Sequence, residues 1–456
     1  MSATAKLLKD AGSVVTGSDE SVYEPVSDFL HEQKIAYTTP YAPENIPADV
    51  DCIVIGKNAK LSPDVNTEVK EAHARRVRIA SFPEILAELS ANTKNILVVG
   101  SYGKSTTVAL LAHILIESGL DPSFFIGAIP FTPQTSARIG RGSFFIIEGD
   151  EYPSSHDDAR SKFLHFNPTH VLLLPLSHDH LNVFPTEESY LAPFYELMAR
   201  VPKEGGIVAA ESGALSRQFL DTISRDAITY GKEESAWQAA DVQYGDTTTF
   251  NLMHGGTLVC EVETTLLGAH SVENIVGAGA LLISQNIVSP EQFSKAIKTF
   301  KGIRRRLDLK SEKTSVRIYE GFGSSIEKAR AAIAAMRLHF KNRRLLVVFE
   351  PHTFSWRNRG ALPWYDTIFA DADRVFIYEP AVQGATTHDQ ITQEEIVERV
   401  RGAGVHASPI STPQEGIAAL DLELQKDDVV LILTSGNMNG LINMIPDLAE
   451  SKFPKQ

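Results

Sequence analysis

A chain of 456 residues is too long for one compact core and predicts about two to four domains. Its formal charge of −14 argues against nucleic acid or an anionic membrane as the main partner, since both reward clustered Lys and Arg. Cys52 and Cys260 lie far apart without CxxC spacing, so no disulfide framework or zinc site is expected and the cytoplasm is the expected compartment. The apolar runs, such as Leu172–Leu174 and Val429–Leu433, are of core-strand length, well short of the roughly 20 residues of a membrane span. The N-terminus lacks the long apolar segment of a signal peptide.

In chain order, three stretches alternate strands with helices, the pattern of parallel sheets in an α/β protein. The first has helices at Thr4–Asp10 and Asp64–Arg75 and strands at Ser13–Thr16 and Cys52–Ile55, and fades at the polar segment Ser90–Thr93. The second opens with a strand at Ile96–Val99, a loop at Gly100–Ser105 and a helix at Thr106–Ser118. That helix carries Val108, Leu111 and Leu115 on one face and is stopped by Gly119. Strands Phe144–Ile147 and Val171–Leu174, a β-rich section over Thr248–Leu267 and a helix at Val272–Ile283 complete it near Leu309. The third has strands at Val316–Tyr319, Leu345–Phe349, Val375–Tyr378 and Val429–Leu433, with helices at Ile326–His339 and Glu394–Arg401. The expected domains are therefore 1–91, 92–309 and 310–456.

The strongest local signal is Gly100-Ser101-Tyr102-Gly103-Lys104-Ser105-Thr106. A strand feeds a Gly-containing loop that opens a helix, so backbone amides face an anion and Lys104 reaches the β/γ-phosphates of a nucleotide. Ser105 supplies a hydroxyl for Mg²⁺. The generic phosphate loop places a further Gly where this chain has Val98, so that pattern is met only in part. Glu148 ends the strand Phe144–Ile147 and is followed by Gly149-Asp150-Glu151, where a nucleotide-bound Mg²⁺ needs a carboxylate. Asp179 and His180 follow the next strand, and an imidazole can bind a second divalent ion.

Together these motifs resemble the Mur ligase superfamily, whose members join an amino acid or peptide to UDP-N-acetylmuramate with ATP through an acyl phosphate. The family's G-T-x-G-K-T/S-T loop reads GSYGKST here, which assigns Gly100, Ser101, Gly103, Lys104, Ser105 and Thr106 to the nucleotide. By the same resemblance Glu148 and His180 bind metal with Ser105. The adenine-side motif G-x-H-N-x-x-N appears as Gly268 to Asn274, giving His270 and Asn274, although Ser271 replaces the first Asn. The F-x-G-x-x-R-R motif appears as Phe300 to Arg306 and places Arg306 on ATP phosphate. The implied fold has a Rossmann-like N-terminal domain, a central P-loop ATPase-like domain and a Rossmann-like C-terminal domain. The implied catalytic residues are Lys104, Glu148 and His180.

Within the superfamily, Gly17–Glu20 with Val22-Tyr23, Glu148–Tyr152 and Arg160–Phe163 look like the murein peptide ligase branch. Glu350–Ser355 is also similar to the L-alanine-adding branch, whereas Thr434–Asn437 again looks like the peptide branch. These segments nominate Ser18, Asp19, Arg160, Lys162 and His352 as substrate residues.

Two departures carry expectations. The family's first strand and Gly-rich UDP loop would precede Met1-Ser2, so the N-terminal sheet should look incomplete. The family's D-D-[FY]-[AG]-H-H-P segment reads Glu320-Gly321-Phe322-Gly323-Ser324-Ser325-Ile326, losing a carboxylate and two imidazoles. Strand neighbours point to opposite faces, so Glu320 replaces the Asp lost at Gly321 only through a bulge. Three readings follow: a peptide-adding ligase, an L-alanine-adding ligase, and a non-catalytic nucleotide-binding relative.

Overall fold

The computed structural model describes residues 1–23, 26–57, 61–155, 157–180, 183–380 and 390–455. Two compact units emerge: residues 1–241, 250–263 and 273–301 form the first, and 242–249, 264–272 and 302–456 the second.

The N-terminal part of the first unit begins with helix α1 (Ser2–Asp10). Among the described residues its strands, β1 (Thr16–Ser18), β2 (Ala36–Thr38), β3 (Cys52–Ile55) and β4 (Arg78–Ser81), form two parallel pairs, β1 with β2 and β3 with β4. Among the described residues the two pairs are not joined into one sheet. The strand expected at Ser13–Thr16 is displaced to Thr16–Ser18. Gly12 turns the chain out of α1 with φ 96°, Val14 is left fully exposed, and the chain meets β2 only at Thr16.

The rest of the first unit is built on β5 (Lys94–Val99), β6 (Ser123–Phe125), β7 (Ala137–Arg138), β8 (Phe144–Glu148), β9 (His170–Leu173), β10 (Gly206–Ala210) and β11 (Ile228–Tyr230). The sheet continues through β12 (Trp237–Gln243), β13 (Thr248–His254) and β14 (Thr257–Thr264) in the order β14-β13-β12-β11-β10-β9-β5-β8-β6-β7. β5 is central, parallel to both β8 and β9. Such a strand is covered on both faces, which is why Ile96–Val99 reads as a continuous apolar run. Helix α2 (Lys104–Glu117) follows it. The one apolar face expected for α2 is too narrow, because every residue from Thr107 to Leu115 is buried. A second helix, Pro290–Thr299, covers its far side, where His113 Nε2 lies 3.1 Å from the Ala296 carbonyl and 2.9 Å from Thr299 Oγ1. Helix α3 (Ala269–Ser284) carries the chain from the second unit into the first.

The second unit has one sheet of β15 (Arg306–Leu309), β16 (Arg317–Phe322), β17 (Leu345–Phe349), β18 (Arg374–Tyr378), β19 (Ala407–Ile410) and β20 (Val429–Thr434). Its order is β15-β16-β20-β17-β18-β19, parallel except for β15. Alternation along each strand sends side chains to two cores. Tyr319, Val347, Phe349, Leu431 and Leu433 pack with helix α4 (Ile326–His339). Ile318, Leu346, Val348, Val430 and Ile432 pack with helix α5 (Leu441–Lys452).

Candidate active site

The phosphate loop sits at the C-terminal edge of β5, and its glycines are required by geometry. Gly100 has φ 127°, and a Cβ there would lie 2.8 Å from the Leu174 carbonyl. Gly103 has φ 89° and faces the Asn274 amide, 3.0 Å from where its Cβ would be. Asn274 of the adenine-side motif therefore lies against the loop. The first intrahelical bond near the loop runs from the Thr107 amide to the Gly103 carbonyl, so the amides of Lys104, Ser105 and Thr106 open the helix without intrahelical acceptors. That is a cradle suited to phosphate oxygens.

Around it the side chains form two hydrogen-bonded groups, one on Glu148 and one on Glu151. Ser105 donates to Glu148 Oε1 at 2.8 Å, and the Gly127 amide donates to Glu148 Oε2 at 2.6 Å. A Cβ at Gly127 would come within 2.8 Å of that carboxylate, so a side chain there would push Glu148 aside. Burial raises the Glu148 pKa, and the bonds from Gly127 and Ser105 and the charge of Lys104 oppose it. Ser105 and Glu148 thus offer two adjacent hard oxygens, the donor chemistry that fits Mg²⁺.

Lys104 Nζ donates to the Gly100 carbonyl at 2.6 Å and to Glu151 Oε2 at 2.8 Å. Glu151 is completely buried and also faces His180 Nε2 at 3.0 Å. Its burial would raise its pKa, but Lys104 and His180 outweigh that and hold it below the ordinary value. His180 shows the converse: burial lowers it, and the bond to Glu151 and the charge of Asp179 carry it above the ordinary value. Its backbone is in the left-handed region at φ 58°, and its ring packs 4.4 Å from that of Tyr152.

The structure supplies protein partners at two of the sequence-predicted positions, the first being Ser101. Its hydroxyl donates to the Ser177 carbonyl and accepts from the Ser177 amide, both at 2.8 Å, and lies 2.8 Å from the Tyr190 hydroxyl. Its amide goes to Pro175. Ser101 is a staple between the phosphate loop and the segment that presents His180. The second is His180, which meets Glu151, the acid that Lys104 also contacts. Among the described residues, no group of three or more His, Cys, Asp or Glu converges to hold a metal ion. Glu151 was the residue without an assigned role in the sequence, because its partners lie 47 and 29 positions away. A second acid following Glu148 was the available signal.

The substrate candidates divide. Lys162 pairs with Asp150 and sits 5.9 Å from the centre of the Tyr152 ring, on the same aromatic that contacts His180. Lys57, not anticipated, has its pKa lowered by burial and then by the charge of Lys162. Arg160 is neutralised by Asp158 through Nε at 3.0 Å and Nη2 at 2.6 Å, which draws Asp158 down to about 2. Ser18 and Asp19 belong to a separate network, Ser18 donating to Glu68 and Asp19 accepting from Tyr41 at 3.1 Å.

In the second unit burial, and after it the charges of Arg306 and His339, lower the His270 pKa to about 4. Arg306 stands 5.5 Å from the centre of the Phe322 ring. Glu320 does not take the place of an acid at 321. It accepts from Arg305 at 2.8 Å and Lys310 at 2.7 Å, whereas a Cβ on Gly321 would point at Leu433, Leu307 and Ala332. The bulge in this region is on β15, between Arg306 and Asp308, and so does not turn Glu320 around. His352 stands 3.4 Å from Glu350.

Comparison with known proteins agrees with this arrangement. The Mur ligase family catalytic domain matches residues 1–94, the Mur ligase middle domain 98–282 and the Mur ligase glutamate ligase domain 305–436. A UDP-N-acetylmuramate–L-alanine ligase of Geobacter sp. (strain M21) is 30% identical over 441 residues, spanning 96% of this chain and 93% of its own length. A UDP-N-acetylmuramate–L-alanyl-gamma-D-glutamyl-meso-2,6-diaminoheptandioate ligase of Escherichia coli (strain K12) is 28% identical over 451 residues, spanning 98% and 95%. The fold is shared with the crystal structure of the UDP-N-acetylmuramate–alanine ligase of Thermotoga maritima, with a TM-score of 0.79, 20% identity and coverage of 99% and 96%. It is also shared with a murein peptide ligase of Psychrobacter arcticus 273-4, with a TM-score of 0.65, 23% identity and coverage of 100% and 97%. Three consecutive family domains and end-to-end similarity at 30% identity lead to one conclusion: the chain belongs to the Mur ligase family.

Proposed function

We propose that this chain is an ATP-dependent ligase that joins the amine of a peptide or amino acid to the carboxylate of UDP-N-acetylmuramate, in peptidoglycan recycling or biosynthesis. The observation that carries the reading is the head of α2, where Ser105 donates to Glu148 and Lys104, whose charge also acts on Glu148, donates to Glu151. The amides of Lys104, Ser105 and Thr106 would hold the phosphates, and Ser105 and Glu148 would hold Mg²⁺. Bound ATP supplies the phosphoryl group that activates the carboxylate as an acyl phosphate. Lys104 counters the charge that develops in that transfer. Lys57, whose ammonium feels the charge of Lys162, gives the first unit a cation suited to an anionic UDP-sugar. The division of labour follows residues 1–91 for the UDP-sugar, 92–309 for ATP and 310–456 for the amine donor.

A peptide donor is the favoured reading, supported by the segments at Gly17–Glu20, Arg160–Phe163 and Thr434–Asn437. The 30% identical L-alanine-adding relative supports L-alanine as the second reading. Phosphate release with ATP, Mg²⁺ and UDP-N-acetylmuramate, in the presence of L-alanine or of L-alanyl-γ-D-glutamyl-diaminopimelate, decides between them. Lys104→Ala should abolish release with either donor. ATP binding with no amine-dependent release would overturn the ligase reading in favour of a non-catalytic relative.

A further inference from the structure

The turn that follows β16 is fixed from three directions. The Gly323 amide donates to the Gly321 carbonyl at 3.0 Å, the Ser324 amide to the Phe322 carbonyl at 2.9 Å, and Trp356 Nε1 to the Gly323 carbonyl at 2.8 Å. Alternation along the strand sends Glu320 and Phe322 to one face, opposite to the direction a side chain on Gly321 would take. Phe322 is left partly exposed at the carboxyl end of the strand.

Three cations gather about its ring. Arg305 Cζ, Arg306 Cζ and Lys328 Nζ stand 5.2, 5.5 and 5.8 Å from the ring centre. They arrive from two elements, the arginines from the entry to β15 and Lys328 from the first turn of α4. The π face attracts each cation, but like charges gathered about one point repel one another. Glu320 offsets part of that repulsion, and it is shared between Arg305 at 2.8 Å and Lys310 at 2.7 Å. Arg305 is further held by the Gly436 carbonyl at 2.7 Å. Lys328 Nζ donates at 3.0 Å to the hydroxyl of Ser324, a neutral group where the family has an imidazole. The result is a fixed aromatic surface flanked by concentrated positive charge, the chemistry that receives carboxylates.

We propose that Arg305 and Lys328, on either side of Phe322, form a site within the second unit for the carboxylates of a peptide donor, those remote from its reacting amine. The inference rests on the peptide-donor reading. A guanidinium takes a carboxylate through paired N–H donors, and an ammonium takes one as a point charge. A peptide of three residues spans about 10 Å, so its carboxylates reach both cations while the chain between them lies on the Phe322 ring. The one carboxylate of L-alanine lies beside its amine, so L-alanine does not reach across the ring. Arg306 is left to the phosphate that its motif implies. Lys328 is thus a specificity-determining residue, selecting a peptide over a single amino acid.

The test is titration calorimetry on the full chain with a non-hydrolysable ATP analogue present. The probes are L-alanyl-γ-D-glutamyl-diaminopimelate, the same peptide with its carboxylates amidated, and L-alanine. Lys328→Gln should weaken binding of the acidic peptide about 10-fold, as the loss of one charge-assisted contact does, and Lys328→Arg should restore most of it. Amidation should weaken wild-type binding at least as much, and Lys328→Gln should then add no further loss. Affinity for the ATP analogue should not change, which also shows that the variant folds. An equal loss with the acidic and the amidated peptide, or no loss with either, would overturn the assignment. A loss confined to the ATP analogue would give the cations to phosphate and overturn it too. Wild-type protein that releases phosphate with L-alanine but does not bind the peptide would overturn the peptide-donor reading and this site with it. The ligase reading fails separately, through wild-type protein that binds the peptide in this pattern but releases no phosphate with any amine, and that result would support the site.

Discussion

Glu151→Gln keeps the shape of a fully buried side chain and removes its charge. Lys104 is 13% exposed and has Glu151 as its hydrogen-bonded acidic partner, so the variant leaves a nearly buried ammonium without that counter-charge and with only the more distant Glu148 to act on it. Removing one member of such a pair costs about 3–5 kcal/mol. For a large domain this lowers Tm by roughly 2–4 °C per kcal/mol. A bound triphosphate supplies its own negative charge to Lys104, so part of the loss is restored in the complex. By linkage, that restored part appears as tighter binding, with about 1.4 kcal/mol giving a tenfold lower Kd for ATP. Glu151→Gln should therefore melt lower than the wild type and show a larger upward shift with ATP. Thermal denaturation with and without ATP, together with titration calorimetry, measures both. A weaker Kd for ATP in the variant would refute the reasoning, because it would make Glu151 a supporter of the nucleotide rather than its competitor for Lys104.

Gly321→Asp restores the family's residue but aims a carboxylate at Leu433, Leu307 and Ala332. It should cost about 3 kcal/mol in urea denaturation without raising ligation, and a faster enzyme of unchanged stability would contradict the packing argument. Cys260, whose thiol burial pushes up to about 11, should resist alkylation at pH 8 and react as pH approaches that value. The His180–Glu151 pair should set a stability window. His180 lies above its ordinary 6.5, so its contribution is complete below that value and is lost as pH rises through the raised one. Glu151 lies below its ordinary 4.5, so its contribution holds above that value and is lost as pH falls through the lowered one. In denaturation followed across pH, His180→Gln should flatten the alkaline limb, and an unchanged limb would count against the pairing.

Where local pattern and tertiary demand coincide, the sequence is a good guide. Cys52–Ile55, Ile326–His339 and Leu345–Phe349 have the bounds their periodicity predicts. The phosphate loop is legible because its glycines and Lys104 act on their own backbone. Long-range pairing is not legible. Nothing near Ser101 announces that Ser177 and Tyr190 consume its hydroxyl, and nothing near Glu151 announces Lys104 and His180. The short strands β6, β10, β11 and β19 escape because three to five mixed residues carry little periodicity. The fate of Gly321 was half legible: alternation along β16 fixed the direction of Glu320, but only packing reveals that Leu307 and Leu433 close in on the vacated position.

The unbroken burial of Thr107–Leu115 bears on how this enzyme can diversify. A helix packed on every side tolerates few changes of volume, and a sideways movement of one turn would disturb both the sheet and the helix over it. Its first turn is therefore a fixed anvil, and variation is free to accumulate only on the loops that approach it. Homologous chains that differ in what they join should keep this helix interior nearly constant in size.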